Sequence, residues 1–154
     1  MPPSPRPRAP RLPGVLLAAS PLLLTLLLAT AARADPCRAV PDRGPTPATL
    51  SPGRVFEGPV VYVGDGDSLC VGLGPRPDQW VEVRLADVYA PELSEPLGRD
   101  AKAVLERVAR GRRLACVAGR RSYDRIVATC RLGGRPLADR LRAAGAPVGG
   151  RGLR

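Results

Sequence analysis

Gln79 to Val88 alternates strictly, with Val81, Val83 and Leu85 facing one way and Glu82 and Arg84 the other. A period of two marks a strand with one buried face, because successive strand side chains point to opposite sides. It is the third such run in a row. Val55 to Val63 is β-branched and aromatic, with Gly58-Pro59 predicting a bulge or an edge position. Gly64-Asp65-Gly66-Asp67 has turn chemistry, Ser68 to Leu73 resumes a strand, and Gly74 to Asp78 turns again. Three strands meandering through short turns predict a curled antiparallel sheet.

Pro91 ends the third run. A helix is expected from Arg99 to Arg110, where Ala101, Val104, Leu105 and Val108 form one apolar stripe and Gly111 caps the end. Arg112 to Ala118 and Arg125 to Leu132 predict two more strands, joined by a polar loop from Gly119 to Asp124. Cys116 and Cys130 are equidistant from Tyr123, so a simple hairpin register sets them opposite each other within reach of a disulfide. Cys37–Cys70 then follows by elimination. A short helix from Pro136 to Ala144 carries Leu137, Leu141 and Ala144 inward, and Gly145 ends it. The expected architecture is mainly β with helices: a five-stranded OB-fold barrel, one helix between strands 3 and 4, and a short C-terminal helix. The barrel domain spans residues 54–147, enough for one modest core that disulfides would support.

Ahead of this domain, Arg6, Arg8 and Arg11 precede an apolar run from Gly14 to Ala32 and the small-x-small triplet Ala32-Arg33-Ala34. That order predicts a signal peptide over 1–34, cleaved after Ala34, for a secreted or periplasmic protein that leaves no membrane segment behind. A retained anchor is the alternative, disfavoured by Pro21 within the run. Residues 35–53 hold five prolines and are expected to form a tether fixed by Cys37; residues 148–154 are expected to be a flexible tail. Of the 24 basic and 14 acidic residues, four arginines and no acid fall in 1–34, so the remainder carries +6. A basic surface suits a polyanion such as nucleic acid, anionic polysaccharide or lipid headgroups. Arginine is heavily favoured throughout, with Lys102 the one lysine, so the charge permits such a partner without selecting it.

The chain has no histidine. This excludes Ser-His-Asp and Cys-His catalysis and histidine-ligated metals, leaving carboxylates, arginines, tyrosines and a hard, oxygen-bound cation. The four cysteines contain no close pair, which disfavours zinc and favours disulfides in an oxidising compartment.

Taken singly, the charged residues are unremarked: Asp65-Gly66-Asp67 is a hairpin turn, Arg84 a solvated strand residue, Glu92 a loop carboxylate, and Asp124-Arg125 a surface pair. Their order is more informative. Asp65-Gly66-Asp67-Ser68 follows the first strand. Arg84-Leu85 with Ala90-Pro91-Glu92 follows the third, and Tyr123-Asp124-Arg125 opens the fifth. This set resembles the staphylococcal nuclease (thermonuclease) family from about Val55 to Ala146. The resemblance implies an OB-like barrel and Ca²⁺-dependent endonucleolytic cleavage of phosphodiester bonds in DNA and RNA by a monomer. By position it implies Asp67 as a direct Ca²⁺ ligand, with Asp65 behind it through water. Glu92 would orient or deprotonate the attacking water, Arg84 and Arg125 would stabilise the charge gathering on the phosphoryl oxygens, and Tyr123 would contact substrate. The chain departs from the family in three places. Tyr89 stands where the family carries a second metal-ligating Asp, Asp124 stands where it has Gly, and the family's last helix is missing. Asp87, expected on the same strand face as Tyr89 by the period of two, is the candidate substitute carboxylate. The alternative expectation is a catalytically degenerate barrel that binds nucleic acid or another polyanion in the cell envelope.

Overall fold

The computed structural model describes residues 35–149; the expected signal peptide at 1–34 and the end of the expected tail at 150–154 lie outside the described residues. The described residues form one compact unit that contains the core and both disulfides. Strands β1 (Val55–Val63), β2 (Ser68–Gly72) and β3 (Trp80–Leu85) form the antiparallel meander. Helix α1 (Gly98–Ala109) follows, then the hairpin of β4 (Arg113–Ser122) and β5 (Arg125–Leu132), a two-residue β6 (Arg135–Pro136) and helix α2 (Leu137–Ala143). The sheet order is β3-β2-β1-β4-β5-β6, and a parallel β3–β5 pairing closes the first five strands into an OB-fold-like barrel.

The alternation in β3 has the expected consequence. Val81, Val83 and Leu85 are fully buried, while Glu82 and Arg84 lie half-buried on the outer face. Ile126, Ala128, Cys130 and Leu132 do the same for β5, and Ala101, Leu105 and Ala109 face the barrel from α1. Leu137 and Leu141 close the core from α2. At roughly 25 cal/mol per Å² of apolar surface, each of these leucines stabilises the fold by about 1.5–3 kcal/mol. Conformational entropy offsets most of that sum.

Three boundaries differ from expectation. The irregularity in β1 falls between Val60 and Tyr62 rather than at Gly58-Pro59, which pair in register with Leu114 and Arg113. Strand β3 ends at Leu85, not Val88, because the chain turns at Ala86–Asp87. The Arg84 guanidinium fixes that turn by donating to the Leu85 and Val88 carbonyls at 2.6 and 2.9 Å. Asp87 and Tyr89 therefore do not share a strand face. The segment Gly119 to Asp124 is not a loop: β4 runs to Ser122, and Tyr123–Asp124 is a two-residue connection. Cys116 nevertheless pairs with Cys130, since β4 absorbs one extra residue in a register shift between Ala118 and Arg121. Gly119 allows it, as a Cβ there would sit 2.7 Å from the Val127 carbonyl oxygen.

Residues 35–53 are more than a tether. Val40 and Leu50 are buried in the core, and the Arg38 and Ala39 amides donate to the Trp80 carbonyl. The Arg121 guanidinium holds the carbonyls of Pro41, Gly44 and Tyr123. Proline-rich composition conceals these anchors because a few apolar side chains and free amides suffice to dock an extended segment. The disulfides are Cys116–Cys130, as the spacing about Tyr123 predicts, and Cys37–Cys70, as elimination predicts, with Cα separations of 4.1 and 5.9 Å. No cysteine is free, a pattern that points toward an oxidising compartment. Among the described residues, no helix is long and apolar enough to cross a membrane.

Candidate functional site

The β1–β2 turn is pressed against the loop after β3. A Cβ on Gly66 would meet the Ala90 and Ala101 methyls at 2.4 and 2.6 Å, so only glycine permits this approach. The approach delivers Asp67, 7% exposed, to the Ala90 amide, which donates to Asp67 Oδ2 at 3.0 Å. Arg84 Nη2 lies 3.0 Å from the same oxygen. Asp65 Oδ1 accepts from the Asp67 amide at 2.9 Å, shaping the turn locally. Burial pushes the Asp67 carboxyl up to about 6; the Asp65 charge also raises it, while the Ala90 amide and Arg84 act against the rise.

Arg84 is engaged on every side. Besides Asp67 and the two carbonyls, its guanidinium stands 5.9 Å from the centre of the Tyr89 ring, a weak cation–π contact. Tyr89, 38% exposed, thus stands beside Arg84 as an aromatic neighbour and supplies no carboxylate there. Pairing Ser68↔Arg84 from β2 and Arg84↔Val127 from β5 puts Arg84 between the turn carboxylates and β5. Arg125 follows one strand over: Val83 pairs with Ile126, so Arg125 falls beside Glu82 on the outer face.

The remaining sequence candidates make no hydrogen bond or ion pair with Asp67 or Arg84 among the described residues. Glu92 is exposed, its amide donating to Glu95 Oε2 at 2.9 Å, and no ion pair joins it to Arg84 or Arg125 among the described residues. Tyr123 is 84% exposed at the tip of the β4–β5 connection, with φ +59°. Asp87 has a buried Oδ1 without a hydrogen-bond partner among the described residues. It lines a cavity of about 110 Å³ with Val88, Tyr89, Leu141 and Arg142. Asp65, Asp67 and Asp87 do not converge as a three-carboxylate group among the described residues.

The carboxylates that do converge are Asp35, Glu82 and Asp124, whose oxygens all lie within 4.8 Å of one another. Asp124 therefore turns to these acids and makes no ion pair with Arg125 among the described residues. Glu82 is pushed up to about 7, first by burial and then by the charges of Asp35 and Asp124, while Arg125 opposes the rise. The alternation in β3 already set Glu82 beside Arg84 on the outer face, which was the available signal. Asp35 had none, since the Cys37–Cys70 bridge carries it there: Cys70 is the β-partner of Glu82.

The outer face of β3 and β5 and the adjoining turn thus present two arginines, Arg84 and Arg125, flanked by two sets of carboxylates. Guanidiniums in this arrangement bind phosphate oxygens and carboxylates hold a hard cation. Compared with known proteins, the chain matches no family model and no curated protein.

Proposed function

We propose that this protein binds nucleic acid across the outer face of β3 and β5 and hydrolyses its phosphodiester bonds in a Ca²⁺-dependent way, as an exported endonuclease. The observation that carries the reading is the placement of Arg84 and Arg125 on adjacent, paired strands beside Asp65 and Asp67. Phosphoryl oxygens gain charge toward the transition state, so paired guanidiniums stabilise that state more than the ground state.

The donor set fits Ca²⁺ in part. Asp67 Oδ2 is taken by Ala90 and Arg84 and Asp65 Oδ1 by the Asp67 amide, leaving each carboxylate one oxygen. Ca²⁺ takes 6–8 oxygens, so these two acids would share the ion with water and substrate and hold it weakly. When bound, the cation supplies Lewis acidity toward the phosphate. Arg84 and Arg125 bind and orient the phosphate, and Glu92, exposed in the loop after Ala90, is the carboxylate left to orient the attacking water.

Binding without cleavage is the second reading, favoured by the Asp67–Arg84 ion pair and by Tyr89 covering Arg84. Incubating residues 35–154 with single-stranded DNA in Ca²⁺ and in chelator decides between them. Chelator-sensitive cleavage that Arg125→Gln removes supports the endonuclease. Salt-sensitive binding with no cleavage, unchanged by Tyr89→Asp, refutes it in favour of the second reading.

A further inference from the structure

Four arginines converge at the barrel end away from Arg84. Arg107 near the end of α1, Arg112 before β4, Arg135 in β6 and Arg140 in α2 line one open cavity of about 400 Å³. Its floor includes Val108 and Leu132. Asp139 is the one carboxylate in the lining, and it is already paired with Arg142. Arg140 donates to the Leu132 carbonyl at 2.9 Å. Arg107, Arg112 and Arg135 are exposed and have no carboxylate partner within salt-bridge distance among the described residues.

Like charges gathered around one cavity repel, and an anion that fills it removes the repulsion. Guanidiniums favour planar, bidentate contact with phosphate oxygens, and the volume suits a ligand of nucleotide size. We propose that this cavity is a second phosphate-binding site, which takes backbone phosphates of a nucleic-acid strand at a distance from the Arg84–Arg125 face. The choice of nucleic acid as occupant rests on the function proposed above; the anion site itself does not.

The fold connects the two places. Strand β5 begins at Arg125 and ends at Leu132, so the cavity lies about 23 Å away at roughly 3.3 Å per residue. Between them the outer face of β4 and β5 forms a groove that includes Val117, Thr129 and Arg131. A strand of several nucleotides spans that distance, within the roughly 4–16 nucleotides an OB-fold covers.

The test is fluorescence anisotropy with a labelled twelve-residue oligothymidine and residues 35–154 in chelator, so that cleavage plays no part. Arg112→Gln/Arg135→Gln should weaken binding about tenfold and reduce the salt slope by about 1.4, at ~0.7 per phosphate contact on a single strand. The exposed pair Arg43→Gln/Arg99→Gln removes the same charge outside the cavity and should change affinity by less than about twofold. Equal weakening by both pairs means net charge alone and overturns the proposal. Inorganic pyrophosphate provides the second arm. If it raises the Tm of the parent and not of Arg112→Gln/Arg135→Gln, while oligonucleotide affinity is the same for both, the cavity serves a free phosphate and the nucleic-acid proposal fails. Cleavage assays on Arg125→Gln report on the endonuclease reading separately.

Discussion

Glu82→Gln should make this protein more stable at pH 8 and leave it almost unchanged at pH 4.5. In the folded chain the Glu82 carboxyl is raised from 4.5 to about 7 by burial and by Asp35 and Asp124. A carboxyl with a raised folded value keeps its proton longer in the native state. Its stability contribution is present below about 4.5 and is lost as pH rises toward 7. The full shift corresponds to roughly 3 kcal/mol at 1.4 kcal/mol per tenfold, and partial exposure screens it to on the order of 1–2 kcal/mol. Glutamine keeps the shape and removes the charge, so the variant should escape this loss. Denaturant titrations at both pH values, in chelator, should show a gain of about 1–2 kcal/mol at pH 8, or roughly 4–8 °C in Tm. Asp67, raised to about 6, loses stability over an overlapping range and leaves a residual slope in the variant between about pH 4 and 6. A variant that is less stable than the parent at pH 8, or equally displaced at both pH values, would refute the crowding of Glu82 by Asp35 and Asp124.

Three further outcomes are expected. Arg84→Met leaves Asp67 without its cation and should cost about 2–4 kcal/mol in chemical denaturation, against less than about 1 kcal/mol for an exposed ion pair. Cys116→Ala/Cys130→Ala opens a loop with a sequence separation of 14 and should lower stability by about 2–4 kcal/mol, read by thermal unfolding against the oxidised parent. Tyr89→Asp adds an acid beside Arg84 and should tighten Ca²⁺ binding at least several-fold by calorimetry; no change in affinity removes Tyr89 as the cause of a weak site.

The strand order and the Cys116–Cys130 pair were legible because they depend on local periodicity and on spacing about a turn. The alternation of Val81, Val83 and Leu85 gave the β3 faces without any knowledge of the partner strands. Symmetry about Tyr123 gives the register of the last hairpin from Leu114 to Ala118 but not of the half nearer its turn, which is shifted by one residue. A shift in β4 and a two-residue turn give the same Cys116–Cys130 pairing as a longer, symmetric loop. The β3 terminus is not legible in the alternation because a side chain fixes it: Arg84 draws the Leu85 and Val88 carbonyls into a turn that propensity does not report. Asp35 was invisible for a related reason. Its position depends on a covalent bridge to Cys70 and on β-pairing from Cys70 to Glu82, two long-range links that no window of sequence contains.

The parallel contact between β3 and β5 has a consequence for when the outer face exists. Arg84 belongs to the first half of the chain and Arg125 to the second, and they become neighbours only when Val83 meets Ile126. Every other pairing among the five barrel strands joins them antiparallel, and this one closes the seam across the intervening helix and hairpin. Pairing across so long an intervening segment carries a loop-closure cost, so it comes late on the folding route. A chain still assembling has both arginines and no composite surface. The composite charged face is therefore a property of the closed barrel alone, and a partly folded chain does not carry it.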